Sequence, residues 1–540
     1  MTKSFQIPGV SRRVFLGTAA AAAGTSLLPA GATAVRGAKY TRYSATTPQG
    51  KAMLASYGIA VGKMLKLDPS DPHNWFRNAF VHAMDCPHGN WWFFTWHRPF
   101  VGYFEEVVRQ YSGNKDFAFP YWDWTKLPAI PAEMFDGTLD PTSAAFNPYI
   151  SSFDTFFKYM NPALETYWKG LSPAQLAQLN TRGMPTLKSL WEQVKGNPDI
   201  GAMYTTTPNA RWITKAHPEL DAKTKVTVSL PTILQGLSPT AFTTTSTVTG
   251  FNSIQTPSHN TAPSGGNVFA VLEGQPHNKT HNNIGGVGHI PNSEYYNFGY
   301  MADNLSPVDP IFFLHHANMD RLWDVWTRKQ QARHLPALPT GADWTTFAQE
   351  PFLFYIDANG TPAPRKNAGE SVEIGGFDYD YQPGMGEVVV KSPQVVAAAL
   401  AHFQGSVSGG EGSVAVPPSQ LRAGKLVASI TIPHPMSGSA PREYDVLVNA
   451  PPGTQSVGAD SPYFAGTISF FGFMPGMTSM DVTFQVPLDK LPAAAKGKPP
   501  GSLVFTVVPS GPAVVGAGPH PTNLGAAPPV LKSVSVSVTP

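Results

Sequence analysis

The chain has 540 residues, of which 42 % are hydrophobic, 11 % aromatic and only 14 % charged, with 53 Pro, 49 Gly and a formal net charge of +2. The aromatic load excludes a disordered chain, the balance of 38 basic against 36 acidic residues excludes a general attraction for nucleic acid, and one cysteine excludes a disulfide scaffold. No stretch reaches the roughly 20 apolar residues of a membrane span.

In chain order, Ser11-Arg12-Arg13-Val14-Phe15-Leu16 precedes an alanine-rich apolar run to Leu28, then Pro29 and the small residues Ala30 to Ala34. A basic region, an apolar region and an A-x-A site in that order make a signal peptide over 1–34, and the paired arginines resemble a twin-arginine export signal. This predicts cleavage after Ala34 and a periplasmic or secreted protein. Apolar residues at three- and four-residue spacing predict helices over 50–66, 75–112, 186–195 and 310–333. Residues 224–268, rich in Thr, Ser, Pro and Asn, predict loops with short strands.

After residue 384 the texture changes. Short β-branched runs at 387–391, 426–432, 444–448, 467–471, 480–486, 503–508 and 534–538 are separated by Gly/Pro turns and predict an antiparallel sandwich. The Gly/Ser/Pro-rich stretch 405–420 reads as a linker or exposed loop. The expected organisation is therefore a helical catalytic domain over 35–384, a linker over 385–425 and a smaller all-β sandwich domain over 426–540.

The 15 histidines are unevenly placed. His82, His88 and His97 fall in one aromatic-rich segment; His277 and His281 are four apart, so a helix projects both from one face; His315 and His316 sit in an apolar helix. Burying six imidazoles without a shared partner would leave polar nitrogens unsatisfied. Zinc sites draw on thiolates or a carboxylate, and non-haem iron sites on a carboxylate. No acidic residue stands at ligand spacing here, so two triads of histidine fit a pair of copper ions best.

Four segments carry a resemblance. Cys86-Pro87-His88 through Phe93-Phe94-Thr95-Trp96-His97-Arg98-Pro99-Phe100 is similar to the first copper motif of the tyrosinase / polyphenol oxidase family, the type-3 copper proteins that include molluscan haemocyanins. Asp309-Pro310-Ile311-Phe312-Phe313-Leu314-His315-His316-Ala317-Asn318-Met319-Asp320-Arg321-Leu322-Trp323 resembles the second. Phe119 to Trp124 resembles a segment between them, and Phe377-Asp378-Tyr379-Asp380-Tyr381 the tyrosine motif that ends the catalytic domain.

The resemblance implies a mainly α catalytic domain, an antiparallel four-helix bundle with long loops around a dicopper site, followed by a β domain. It implies one copper on His82, His88 and His97 and a second on His277, His281 and His316. Adjacent helix residues point about 100° apart, and the family pattern takes the second histidine of the pair, leaving His315 aside. His73 is the alternative to His82. Asp320, one turn beyond His316, is expected to orient an imidazole. Cys86 is expected to form a thioether to His88. Glu273 and Asn278 match the positions that fix a water able to deprotonate a phenol, and Asn282 is expected to shape the substrate entrance.

The implied activity is hydroxylation of monophenols and oxidation of o-diphenols to o-quinones with O2. A catechol oxidase limited to diphenols, another phenolic oxidase and a haemocyanin-like O2-binding protein stay open. The implied partners are phenolic small molecules and O2, with neither nucleic acid nor membrane; a copper-delivery helper and a homo-oligomer are left open. In the apolar stretch Phe470 to Met477, Phe471 is the expected plug of the copper pocket, which predicts a latent enzyme.

Overall fold

The computed structural model describes residues 37–196, 202–261, 266–286, 299–391, 401–423, 425–434, 442–472, 480–488, 501–510, 514–515, 518–519 and 528–539. The export signal expected over 1–34, and residues 473–477 of the apolar stretch, lie outside these residues.

The helical part begins with Pro48–Met64, where the Thr47 side chain accepts from the Gly50 N–H and proline occupies the first turn. The helix Trp75–Asp85 starts on Asn74, whose side chain accepts from the N–H groups of Phe76 and Arg77. The single helix expected over 75–112 is two. Residues 86–92 form a loop, because Pro87 cannot continue the hydrogen-bond ladder and Gly89 takes a left-handed φ of +69°. The second helix, Phe93–Ser112, ends at Gly113 with φ +77°. The break matters: it lifts His88 off both helices and aims it between them.

The helix Ile311–Ala332 packs on Phe93–Ser112. Phe104 and Phe313 stack with ring centres 4.1 Å apart, inside a core that also holds Trp75, Trp96 and Trp323. The strand Tyr40–Arg42 pairs in parallel with Tyr379–Tyr381 and returns the tyrosine motif to this core. The stretch 224–268 contains the short strands expected, Thr243–Thr244 and Asn252–Ile254, but opens on helices, Ala222–Thr227 and Leu230–Leu237. Val388–Lys391, expected as a strand, is a helical turn. Its β-branched run has no sheet to join, and a fork of two hydrogen bonds from Arg328 holds Glu387, just before it, against the long helix.

The C-terminal region is β-rich. One five-stranded sheet runs in the order Phe464–Ser469, Glu443–Val448, Ser502–Pro509, Glu411–Ala415 and Ser406–Ser408. The other runs Asn267–Phe269, Asp481–Pro487, Lys425–Pro433, Ser533–Thr539 and Ala401–Gln404. Both contribute to one apolar cluster, with Val414, Val446 and Phe505 from the first and Ile430, Phe484 and Val536 from the second. Three of these strands lie within the expected linker. Its glycines are a hairpin turn: Ser408 faces Glu411 across Gly409 and Gly410, whose φ values of +60° and +83° suit a two-residue loop. The strand Asn267–Phe269 is lent by the helical part and pairs in parallel with Asp481–Pro487.

Candidate metal centre

Five segments deliver histidines to one buried volume. Trp75–Asp85 carries His82, the following loop His88, and Phe93–Ser112 His97. A wide, π-type turn at Glu273–His277 runs into the helix Asn278–Gly285 and carries His277 and His281. Ile311–Ala332 carries His315 and His316. The His82 ring centre is 5.7 Å from His88 and 5.6 Å from His97. The ring centres of His277 and His281 are 4.5 Å apart, and His316 stacks on His97 at 4.2 Å, joining the two sets.

The hydrogen bonds show which nitrogen each ring reserves. A carbonyl oxygen only accepts, so a ring nitrogen beside one carries the proton. His82 Nδ1 donates to Asn304 O (2.7 Å), His97 Nδ1 to Phe93 O (2.7 Å) and His281 Nδ1 to Met301 O (2.6 Å). His277 Nδ1 meets Asn278 Oδ1 at 2.8 Å. The buried Nε2 atoms of His82, His88, His97 and His277 have no hydrogen-bond partner among the described residues. Those of His281 and His316 face each other at 3.2 Å. Burial, reinforced by neighbouring histidines, holds His82, His88, His277, His281 and His316 neutral, and burial lowers His97 to about 3. Neutral imidazoles with fixed tautomers and converging free lone pairs are the ligand form metals require.

His73 is different. Its Nδ1 meets Tyr111 Oη and its Nε2 donates to Asp357 O, so both nitrogens are satisfied away from this volume. His315 joins the second set: donor atoms of His277, His281, His315 and His316 all lie within 4.8 Å of one another, as do those of His82, Cys86 and His88. Cys86 Sγ lies 3.7 Å from His88 Nδ1, and burial pushes its thiol up to about 12.

Glu273 is buried, with Oε1 accepting from the Gly89 N–H (2.6 Å) and Oε2 from Ser253 Oγ (2.5 Å). Burial pushes its carboxyl up to about 8, although both donors pull the other way. The folded state therefore keeps a proton that the unfolded chain, at about 4.5, releases. More protons bound in the native state means stability falls as pH rises from about 4.5 to about 8. Glu273→Gln is expected to flatten that fall in thermal melts taken across this range; an unchanged pH slope would contradict it. Asn278 has other partners: its Oδ1 serves His277, and its Nδ2 donates to Ser469 O of the β-rich region.

Asp320 does not orient an imidazole. Its Oδ1 accepts from Arg98 Nε (2.6 Å), and its Oδ2 from Arg42, Tyr381 and Tyr379. Two arginines and two phenols occupy the carboxylate, and His316, one turn back, is not among its partners. Residues far away in the sequence support the His88 loop. Buried His259 sits between Asp85 (3.0 Å) and Glu350 (2.5 Å), and these carboxylates outweigh burial and raise its pKa. Arg182 ties Cys86 O to Asn260. Only contacts distant in sequence identify these residues.

Phe471 enters the same volume from the β-rich region. Its ring centre is 4.0 Å from His281, 5.0 Å from His88 and 5.4 Å from His277. Three ion pairs hold this region down: Lys279 with Glu443 (2.5 Å), Lys223 with Asp445 (2.7 Å) and Arg442 with Asp303 (3.0 Å).

Fold and site together define a protein with a buried histidine cage able to hold metal, a helical core supplying its imidazoles and a β-rich region covering them. Residues 64–329 match the family model described as the common central domain of tyrosinase. The chain is 24 % identical over 344 residues to tyrosinase HcTyr1 of Hahella sp. (strain CCB-MM4), covering 57 % of this chain and 56 % of that protein. It is 22 % identical over 350 residues to chloroplastic polyphenol oxidase of Spinacia oleracea, covering 61 % and 45 %. The chain thus spans about half the length of the curated relatives it matches. Among solved structures it shares the fold of a latent aurone synthase (polyphenol oxidase), with TM-score 0.51, 16 % identity and coverage of 93 % and 90 %. It also shares the fold of latent apple tyrosinase, with TM-score 0.50, 19 % identity and coverage of 93 % and 96 %.

The chain belongs to the tyrosinase family. Members of this family are copper enzymes, and an all-imidazole donor set without a carboxylate fits copper. Among the described residues, no helix is long and apolar enough to cross a membrane.

Proposed function

We propose that the protein is a copper oxidoreductase that hydroxylates monophenols to o-diphenols and oxidises o-diphenols to o-quinones with O2, kept latent by Phe471. The observation that carries this is the Phe471 ring, seated 4.0 Å from His281 and beside His88 and His277, whose Nε2 atoms lack partners among the described residues. Two copper ions, one on His82, His88 and His97 and one on His277, His281 and His316, would supply O2 binding and redox chemistry. The protein's own part is positioning. The aromatic plug occupies the place of a substrate ring and keeps water out. Glu273 holds the water that takes up the phenol proton, and the Ser253 and Gly89 donors favour its carboxylate against the burial that raises its pKa. Asn278 fixes the His277 tautomer. One observation favours the diphenol-only reading: Asn278 is engaged by His277 and Ser469, and its amide makes no hydrogen bond to Glu273.

On the same reading the helices that carry the histidines form the bundle, the two sheets pack as a sandwich, and residues 1–34 direct export. The thioether between Cys86 and His88 belongs here too. Mass spectrometry of the copper-loaded, denatured chain is expected to find the peptide two hydrogen atoms lighter and closed to thiol alkylation.

Oxygen uptake by copper-loaded protein, with L-tyrosine and then 4-methylcatechol, tests the function. Phe471→Ala removes packing that holds the plug shut, and several kcal/mol of lost burial predicts an increase of about tenfold or more over the unaltered chain. Uptake with the catechol alone makes the protein a catechol oxidase. O2 binding without uptake makes it an oxygen-binding protein.

A further inference from the structure

The strand Phe464–Ser469 is the edge of its sheet, so the carbonyls on its free side have no strand to pair with. Side-chain amides meet them instead. Gln275 Nε2 donates to Thr467 O (3.2 Å), Asn278 Nδ2 to Ser469 O (3.0 Å) and Asn282 Nδ2 to Phe470 O (3.0 Å). These three buried residues are spaced by three and four, on one face of the segment that also carries His277 and His281. The next residue of the covered segment is Phe471, whose ring enters the imidazole cage. Then comes Gly472, with φ +75°, where a Cβ would lie 2.4 Å from His88 Nδ1. The helix thus reads the main chain of an extended segment while the histidines receive one aromatic side chain, with a residue lacking a side chain required next. Main-chain hydrogen bonds combined with a side-chain pocket are how extended peptides are recognised.

A free phenol would use the ring pocket alone. It gives no work to Gln275 or to Asn282, whose buried Oδ1 has no hydrogen-bond partner among the described residues and suits a peptide N–H. We propose that the preferred substrate is the phenol ring of a tyrosyl residue in an extended polypeptide, followed by glycine, and that residues 467–472 are an internal copy of it. This rests on the oxidase reading above. The reaction balances as tyrosyl ring plus O2 giving the peptidyl o-quinone plus water. One oxygen atom enters the ring and the other leaves as water, while the ring loses four electrons to O2.

The test uses the full-length chain carrying Arg442→Glu and Asp445→Lys. These set like charges against Asp303 and Lys223 and displace the β-rich region. The copper-loaded chain is given acetyl-Thr-Ile-Ser-Phe-Tyr-Gly-amide or N-acetyltyrosinamide. Three neutral hydrogen bonds predict kcat/KM for the hexapeptide at least about tenfold higher. Gln275→Ala and Asn282→Ala should each cut that ratio severalfold. Equal kcat/KM for the two substrates overturns the proposal. If neither is oxidised, the oxidase reading has failed, and calorimetry with the unreactive acetyl-Thr-Ile-Ser-Phe-Phe-Gly-amide decides: binding weakened by Asn282→Ala supports the peptide site, and no binding overturns it. Should the charge reversals unfold the chain, Phe471→Tyr in the otherwise unaltered protein replaces them. With copper, air and ascorbate, one added oxygen atom at position 471 supports the proposal, and an unmodified residue overturns it.

Discussion

Replacing His316 with alanine is expected to remove about half of the bound copper and all measurable oxygen uptake, whereas His315→Ala keeps the metal content. The two rings are neighbours on one helix, so they point about 100° apart and only one addresses the shared space between the histidine sets. His316 does so: it lies parallel to His97 at 4.2 Å, packs on Phe312 at 4.1 Å, and its Nε2 is 3.2 Å from that of His281. The proton on His281 Nδ1 leaves its Nε2 as a lone pair, which His316 Nε2 meets as an N–H donor without a metal and joins as a second ligand when a cation lies between them. His315 lies at the outer side of the second set, between His281 at 4.8 Å and Trp124 at 5.0 Å, and makes no ring contact with His82, His88 or His97 among the described residues. Atomic absorption on the two purified variants distinguishes them, and copper loss on His315→Ala with retention on His316→Ala would reverse the assignment.

The histidine sets were legible in the sequence because their spacing is local. His277 and His281 are one helical turn apart, and Cys86 to His97 is one continuous motif. Helix positions in the core followed from apolar spacing, and the later strands from β-branched runs bounded by Gly and Pro. What could not be read depended on partners far along the chain. Nothing near His259 announces that Asp85 and Glu350 enclose it from 174 and 91 residues away. Nothing near Glu273 announces Ser253 and Gly89. The strands within 401–415 were hidden for another reason: a pair of glycines at a two-residue hairpin has the same composition as a flexible linker, and only the partner strand Ser502–Pro509 separates the two. Phe471 lay between these cases. Its apolar segment was visible, whereas its place beside His281 depends on buried charges along the strand that starts at Glu443, and charge pairing across 164 residues has no local signature.

Asp320 is the largest departure from the sequence-based expectation, and its replacement is expected to affect stability more than activity. The carboxylate fastens three segments to the Ile311–Ala332 helix: the strand Tyr40–Arg42 through Arg42, the helix Phe93–Ser112 through Arg98, and the tyrosine motif through Tyr379 and Tyr381. The guanidinium of Arg42 stacks on Tyr379 at 3.6 Å, and that of Arg98 on Trp323 at 3.6 Å, so neither can swing out to water. Arg42 retains Glu105 at 2.8 Å, but Arg98 has no other carboxylate partner among the described residues. Asp320→Ala therefore leaves a buried cation uncompensated, a loss of about 3–5 kcal/mol. Burial alone would raise the Asp320 pKa, but Arg98 and Arg42 outweigh it and hold the carboxyl below its ordinary 3.8. A depressed carboxylate pKa stabilises the fold above the unfolded value and ceases to do so as pH falls through the folded one. Urea melts at neutral pH should thus show the full deficit for Asp320→Ala, and melts well below pH 3.8 a smaller one, as the native carboxylate also takes up its proton. A deficit that stays the same at both pH values would mean that lost packing, and not the charge network, is what Asp320 contributes. Because Arg98 directly follows His97, the variant should also loosen the first histidine set, so its copper affinity should fall in the same series of measurements.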